Sequence, residues 1–285
     1  MLLPRILTAV VLLAILSVCL SSSSEWPLLA LLNVMAALTL WEWLRMVCNN
    51  GKHKLLNIII ALLTSLVLFI LATQILSSSG SQLGISFINV IQASIPVIAI
   101  MWIIVPSLSI CRVTKNELAP KSIQKIFAIA AVIALWYSLA IMFVSFGAFF
   151  LISLMALIWI ADTAAYIVGR LLGKHKLAPA VSPGKTIEGA LGGIAGAMLW
   201  MALSSSMPNS FAYYLDMRWG FIAMLLISAL LACISITGDL FESILKRRAG
   251  LKDSSNLLPG HGGIFDRIDA LLPVAPLAFV IIGAA

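Results

Sequence analysis

Nine apolar runs occupy most of this chain, at about 4–20, 26–47, 55–77, 84–110, 123–144, 146–169, 187–206, 218–238 and 269–285. Each approaches the roughly 17–25 residues that an α-helix needs to cross a bilayer. Inside hydrocarbon every backbone N–H and C=O must find its partner within the protein, so apolar runs of this length select helices. With a mean hydropathy of +1.10 and only 10% charged residues, the 285 residues do not read as a soluble domain around one core. The reading is an all-α polytopic membrane protein with about nine transmembrane helices and an active site at the cytoplasmic face. Eight is the alternative count, because the run 4–20 is short and Ser21 to Ser24 separate it only briefly from the next.

Charge orients the helices. With the N-terminus on the cytoplasmic side, the inner segments carry Arg5, then Arg45, Lys52 and Lys54, then Arg112, Lys115, Lys121 and Lys125. Arg170, Lys174, Lys176 and Lys185 follow, and the last inner segment holds Lys246, Arg247, Arg248, Lys252 and Arg267. Of the 18 lysines and arginines only Arg218 falls outside, the bias that the positive-inside rule associates with a correct topology. The implied location is the cytoplasmic (inner) membrane. The net charge of +7 reports this orientation and an affinity for anionic lipid. No basic stretch interleaves with aromatic residues as a nucleic-acid groove requires, so nucleic acid is not an expected partner. A cleaved signal peptide is the competing reading of residues 1–20, but Val18 before Cys19 makes a poor lipoprotein cleavage site. Cys19, Cys48, Cys111 and Cys233 are scattered without CxxC spacing and read as buried free thiols.

Composition divides the chain near residue 145. Residues 1–144 read as scaffold helices that also supply oligomer contacts, and Glu42, between Trp41 and Trp43, reads there as an interfacial anchor. Pro96 and Pro106 predict kinks in the fourth helix. Residues 145–285 read as the catalytic region, because four polar constellations recur in it at one membrane face.

In the first, Asp162, Tyr166 and Gly169 share a helical face. A carboxylate in a membrane segment is costly enough to indicate function, although pairing with Arg170 or a nearby lysine is the plainer explanation. The second is Ser182-Pro-Gly-Lys185-Thr186-Ile-Glu188-Gly189. It lacks the first glycine of a P-loop, since Pro179 stands there, and no strand is expected before it. It reads as hydroxyls, a lysine and free amides around a phosphate, or as simple helix capping by Ser182 or Thr186. Beyond it, Gly189, Gly192, Gly193 and Gly196 make a stripe for close helix packing.

In the third, Asp239, Glu242, Ser243 and Lys246 follow helical spacing, so one polar face runs from the bilayer edge into the cytosol. An ordinary solvated helix end explains Glu242 and Lys246, but not Asp239 at the hydrocarbon boundary. The fourth is Leu258-Pro-Gly-His261-Gly262-Gly263 with Asp266 and Asp269 after it. Its glycines let backbone approach a ligand closely, and the two aspartates, one turn apart, can face one ion. Asp162, Asp239, Asp266 and Asp269 suffice to hold one or two hard cations, while the surrounding lysines and arginines neutralise phosphates.

At this point the residues resemble a known family. Ser243-x-x-Lys246-Arg247, Lys252-Asp253 and Leu258-Pro-Gly-His-Gly-Gly263-x-x-Asp266-Arg267-x-Asp269 look like the C-terminal signature of the phosphatidate cytidylyltransferases, the CDP-diacylglycerol synthases. Asp162-Thr-x-Ala-Tyr166 and Ser182-Pro-x-Lys185-Thr186-x-Glu188-Gly189 resemble two further stretches of that family. The resemblance implies transfer of a cytidylyl group from CTP to phosphatidate, giving CDP-diacylglycerol and pyrophosphate for phospholipid synthesis. It also implies dependence on Mg²⁺ and a second copy of the chain as partner, since the family's members are thought to be dimers, and it points to Asp239 and Asp266 as metal ligands.

The chemistry suits these residues. The phosphatidate monoester has a second pKa near about 6 by analogy with phosphoserine, so the nucleophile is already anionic and needs no strong base. The protein must supply in-line positioning, screening between anions and stabilisation of the leaving pyrophosphate. Mg²⁺, with or without a second cation, would be held by Asp239 and Asp266, with Asp162 and Asp269 as further candidates. Lys185, Lys246, Arg247 and Arg267 are the expected phosphate contacts. Ser182, Thr186, Lys252, His261, Gly262 and Gly263 complete the expected substrate site. A CTP-dependent polyprenol or phytol kinase and an ion-coupled transporter are the alternatives. The length of the Ser243–Asp269 match opposes the first. Against the second stand carboxylates gathered at one face and the lack of an internal repeat.

Overall fold

The computed structural model describes residues 2–48, 53–77, 82–112 and 120–283. Lys52 and Lys115 lie outside the described residues, as do the side chains of Arg5, Cys111 and Arg112. Among the described residues, eleven helices and one two-stranded hairpin appear in the order α1 (Leu2–Ser21), α2 (Trp26–Val47), α3 (Lys54–Leu76), α4 (Gln82–Arg112), α5 (Lys121–Phe146), α6 (Ala148–Leu172), β1 (Lys176–Ala178), β2 (Ser182–Thr186), α7 (Ile187–Ser204), α8 (Phe211–Trp219), α9 (Phe221–Arg248), α10 (Phe265–Ile268) and α11 (Leu271–Ile282). Among the described residues, 7 helices are long and apolar enough to cross a membrane, namely α2 to α7 and α9. The count of nine therefore rests on α1 and α11 as well. At 1.5 Å per residue α11 reaches about 18 Å, short of a hydrocarbon core of about 30 Å. The protein is thus an all-α polytopic membrane protein, as the apolar runs require.

Packing gathers the chain into two compact units, and both are discontinuous in sequence. One comprises Met1–Ile98, Ala119–Ile141 and Leu245–Ile268, and the other Ala99–Leu118, Met142–Ile244 and Asp269–Ala285. These units are defined by packing, whereas the division at 144/145 is one of composition. The long helix α9 belongs to the second unit up to Ile244 and to the first from Leu245.

In the first unit α2 packs beside α1 and α3, and it also receives α10. Trp43, fully buried, stacks on Phe265 at 5.0 Å and takes Phe127 edge-on at 5.8 Å. Offset and edge-to-face aromatic pairs of this kind add to the large area each ring buries. The Tyr137 hydroxyl donates to Gln92 Oε1 at 3.0 Å, linking α5 to α4 within this unit. The loop that follows α9 is also part of it.

In the second unit the predicted glycine stripe brings α7 against α6. A Cβ at Gly189 would lie 2.8 Å from the Ala165 carbonyl oxygen, and one at Gly193 would lie 2.8 Å from that of Ala161. Only glycine permits that approach, which is the structural role its spacing indicates. The β-hairpin was not legible in the sequence. Its strands pair antiparallel, with Lys176 opposite Thr186 and Ala178 opposite Ser182. Ala178 and Val181 close onto Leu240 and Ile244 of α9, with Leu177 and Ile236 beside them. That apolar patch seats the hairpin on the helix carrying Asp239. The short helix α8 starts at the Ser210 cap, whose hydroxyl accepts from Tyr213 N at 3.0 Å. Ser153 Oγ accepts from Phe211 N at 2.7 Å and ties α8 to α6.

Candidate active site

Two polar clusters, one in each unit, contain most of the predicted site residues. In the second unit the cluster is built on α9. Asp239 and Glu242 lie one turn apart on that helix, and Gly238 lets the Asp269–Pro273 segment come close to it. A Cβ at Gly238 would sit 2.5 Å from the Asp269 carbonyl oxygen and 2.8 Å from Pro273 Cγ. Asp239, Glu242 and Asp269 consequently bring one carboxylate oxygen each within 4.8 Å of one another. Asp269 also accepts from Ala270 N at 2.8 Å, which fixes its rotamer.

Lys185 reaches this cluster from β2, its Nζ 2.5 Å from Asp239 Oδ2. Ser243 Oγ donates to Asp239 Oδ1 at 3.4 Å. Asp162, exposed on α6, lies within electrostatic range of Asp239 and Lys185. The same face of α6 shows Arg170 donating to the Tyr166 hydroxyl at 3.0 Å. Two like charges at such separations repel by about 3–4 kcal/mol at an effective dielectric of ~20. One lysine offsets only part of that, and the oxygens of Asp239, Glu242 and Asp269 could hold a hard cation.

The hairpin is held in place by a second carboxylate. Glu188 accepts from Lys174 N at 3.1 Å and from His175 N at 3.2 Å, and it meets His175 Nδ1 at 2.6 Å. Thr186 is buried, and its hydroxyl accepts from Gly189 N at 3.1 Å as the N-cap of α7. The Gly189 amide is therefore already satisfied. Ser182 is half-buried on the opposite end of the strand, while Lys185 is the strand residue that faces the carboxylates.

In the first unit the loop after α9 and α10 forms the other cluster. Leu258 and Gly262 pair as an isolated bridge, with Leu258 N donating to Gly262 O at 2.8 Å. Gly262 has φ 83°, and a Cβ there would lie 2.6 Å from Asp266 Oδ2, so the turn requires glycine on both counts. Asp266 is the hub. Its Oδ1 accepts from Lys246 Nζ at 2.7 Å. Its Oδ2 accepts from Ser254 N, Ser254 Oγ and Gly263 N, each at 2.8 Å. The pair is well shielded, with Lys246 14% and Asp266 7% exposed at the side chain. Arg267 donates through Nε and Nη2 to the His261 carbonyl at 3.1 and 2.6 Å, holding the loop tip. A cavity of about 630 Å³ opens here, lined by Lys252, Asp253, Asn256, His261, Arg267 and the glycine backbone. Arg247 is exposed at the end of α9.

Two residues carry more than their sequence context indicated. Glu242 does not belong to a solvated helix end, since it is 1% exposed and joins Asp239 and Asp269. Its i+3 spacing from Asp239 was the available signal. Glu42 is not an interfacial anchor. It is fully buried and accepts from Ser254 Oγ, Ser255 Oγ, Ile264 N and Phe265 N. No local pattern around Trp41 and Trp43 points to partners more than 200 residues away.

Fold and clusters together define an integral membrane protein with buried carboxylates, lysines and a glycine-rich loop, the equipment of a phosphate-handling enzyme class. The sequence model of the cytidylyltransferase family matches residues 3–285, and the chain belongs to that family. It is similar to a phosphatidate cytidylyltransferase of Staphylococcus haemolyticus, 40% identical over 136 residues, 48% of this chain and 50% of the relative. A phosphatidate cytidylyltransferase of Haemophilus influenzae is 45% identical over 130 residues, 46% of this chain and 44% of the relative. One from Staphylococcus epidermidis is 44% identical over 126 residues, 44% of this chain and 46% of the relative. The chain thus spans about half the length of the curated relatives it matches.

Proposed function

We propose that this protein transfers a cytidylyl group from CTP to phosphatidate in the plane of the membrane. What supports the reading is the family match over residues 3–285, which takes in every residue of both clusters. The bond formed joins a phosphatidate phosphate oxygen to the α-phosphorus of CTP. The bond broken is the one from that phosphorus to the oxygen of the β-phosphate, so pyrophosphate leaves and CDP-diacylglycerol remains in the lipid. No proton needs to be removed from the nucleophile, which is anionic at neutral pH. The work left to the protein is alignment and charge screening.

The residues divide that work. The donor set of Asp239, Glu242 and Asp269, all oxygen and within 4.8 Å, fits a hard divalent cation such as Mg²⁺. Bound there, Mg²⁺ would supply charge neutralisation for a phosphate group. Lys185, seated on Asp239 by the hairpin, is a cation on a flexible stem that can exchange a carboxylate partner for a phosphate. Asp266 fits a metal less readily as it stands, because Lys246, two amides and a hydroxyl already occupy its oxygens. An Asp266 oxygen faces an ion only after Lys246 leaves it. The cavity beside it is of a size to take a nucleotide, with Lys252 and Arg267 for its phosphates and His261 as a hydrogen-bond donor. The second substrate is a lipid of the surrounding bilayer, the N-terminus and clusters face the cytoplasm, and a second copy of the chain is the expected partner.

The test uses purified protein in phosphatidate micelles with CTP and Mg²⁺. One pyrophosphate should appear for each CDP-diacylglycerol, chelation should stop both, and Asp239→Asn should abolish both while remaining folded. A folded sample that forms neither product sinks the proposal.

A further inference from the structure

Glu42 is a buried charge that the proposed chemistry leaves unused. It sits on α2, among the scaffold helices, and is 0% exposed. Among the described residues, the four hydrogen bonds that it accepts come from one short segment more than 200 residues later. Oε1 accepts from Ser255 Oγ at 2.5 Å and Ile264 N at 3.1 Å. Oε2 accepts from Ser254 Oγ at 3.0 Å and Phe265 N at 2.7 Å. One carboxylate therefore joins both ends of the loop 254–265.

Its neighbours on α2 serve the same segment. Trp43 stacks on Phe265 at 5.0 Å, and Arg45 donates to the Ser254 carbonyl. A Cβ at Gly263 would meet Ser254 Oγ first and then both oxygens of Glu42, so the hydroxyl and the carboxylate together explain why glycine stands there. Ser254 carries the connection onward. Its single hydroxyl proton has two acceptors, Glu42 Oε2 at 3.0 Å and Asp266 Oδ2 at 2.8 Å. The hydroxyl bridges the two carboxylates, and the Ser254 amide donates to Asp266 as well. Whatever fixes Ser254 fixes the direction in which Asp266 presents its oxygens. A carboxylate needed only to satisfy a core would draw donors from whichever elements surround it. Among the described residues this one draws its donors from the loop of the proposed nucleotide site.

We propose that Glu42 is a positioning residue, which closes the 254–265 loop and orients Asp266 through Ser254. It touches no substrate. The activity arm of the test rests on the cytidylyltransferase reading, and the structural arm does not.

The experiment compares full-length wild type, Glu42→Gln and Ser255→Ala in detergent micelles. Glu42→Gln keeps the shape but turns one acceptor into an NH₂ that faces donors. Hydrogen exchange at the amides of Ile264 and Phe265 should quicken at least about tenfold, with α6 and α7 unchanged, as expected of a local opening. The turnover number should fall about 10–100-fold, the cost typical of losing a group that orients a reacting one, while KM for CTP moves far less. Ser255→Ala, which loses one donor and keeps the carboxylate, should show smaller changes in the same direction. Unchanged loop exchange, protection lost equally throughout the chain, or a KM rise at constant turnover would each overturn the proposal. A wild type that makes no CDP-diacylglycerol would refute the activity reading and leave hydrogen exchange to decide the role of Glu42.

Discussion

Gly238→Ala should separate activity from stability. The added Cβ would lie 2.5 Å from the Asp269 carbonyl oxygen and 2.8 Å from Pro273 Cγ. Ordinary contact begins near 3.5 Å, so the Asp269–Pro273 segment must move from α9 by roughly 1 Å. Two stability effects oppose each other. Overpacking costs about 1–3 kcal/mol, whereas replacing a mid-helix glycine by alanine returns about 1 kcal/mol. The net loss is about 0–2 kcal/mol, which leaves the protein folded. Activity has no such compensation, because the displaced segment carries Asp269, one of three carboxylates now held within 4.8 Å. A misplacement of about 1 Å in a reacting constellation costs on the order of 10²-fold, or about 2.7 kcal/mol in the barrier. The assay is CDP-diacylglycerol formation beside thermal unfolding in the same micelles. Turnover within about threefold of wild type would refute the claim that α9 and the Asp269 segment form one constellation.

Three further outcomes follow from individual contacts. Lys246→Met strips the cation from a carboxylate only 7% exposed and should cost about 1–3 kcal/mol, seen as a lower Tm, with Lys246→Arg recovering part. Thr186→Ala removes the α7 cap and should cost about 1 kcal/mol, whereas Thr186→Ser should keep both stability and activity; loss of activity in the serine variant would point to a direct substrate contact instead. Chelation by EDTA should abolish product formation reversibly, with Mg²⁺ restoring it, as the oxygen donor set predicts.

The helices were legible because a bilayer leaves an apolar run few alternatives. The polar face of Asp239, Glu242, Ser243 and Lys246 was legible as well, and α9 indeed continues to Arg248. The glycine stripe on α7 announced its packing because small residues at helical spacing have little other use in a membrane. What stayed hidden depends on distant partners. The hairpin strand Ser182–Thr186 contains proline and glycine and lacks the alternation that marks a strand, and its seat on Leu240 and Ile244 with the Glu188 contacts holds it. Glu42 has a polar character set wholly by residues 254–265, while its own neighbourhood reads as a membrane-interface girdle. Glu242 looked solvated because Lys246 and Arg247 follow it, and burial comes from the fold rather than the helix.

The most direct test of the central claim is a label-transfer experiment with phosphatidate, Mg²⁺ and CTP carrying its label on either the α or the γ phosphate. The account predicts that α label becomes lipid-soluble and γ label leaves as pyrophosphate. Lipid-soluble γ label would contradict it and make the protein a kinase, and no labelled lipid from a folded, Mg²⁺-supplied sample would contradict both.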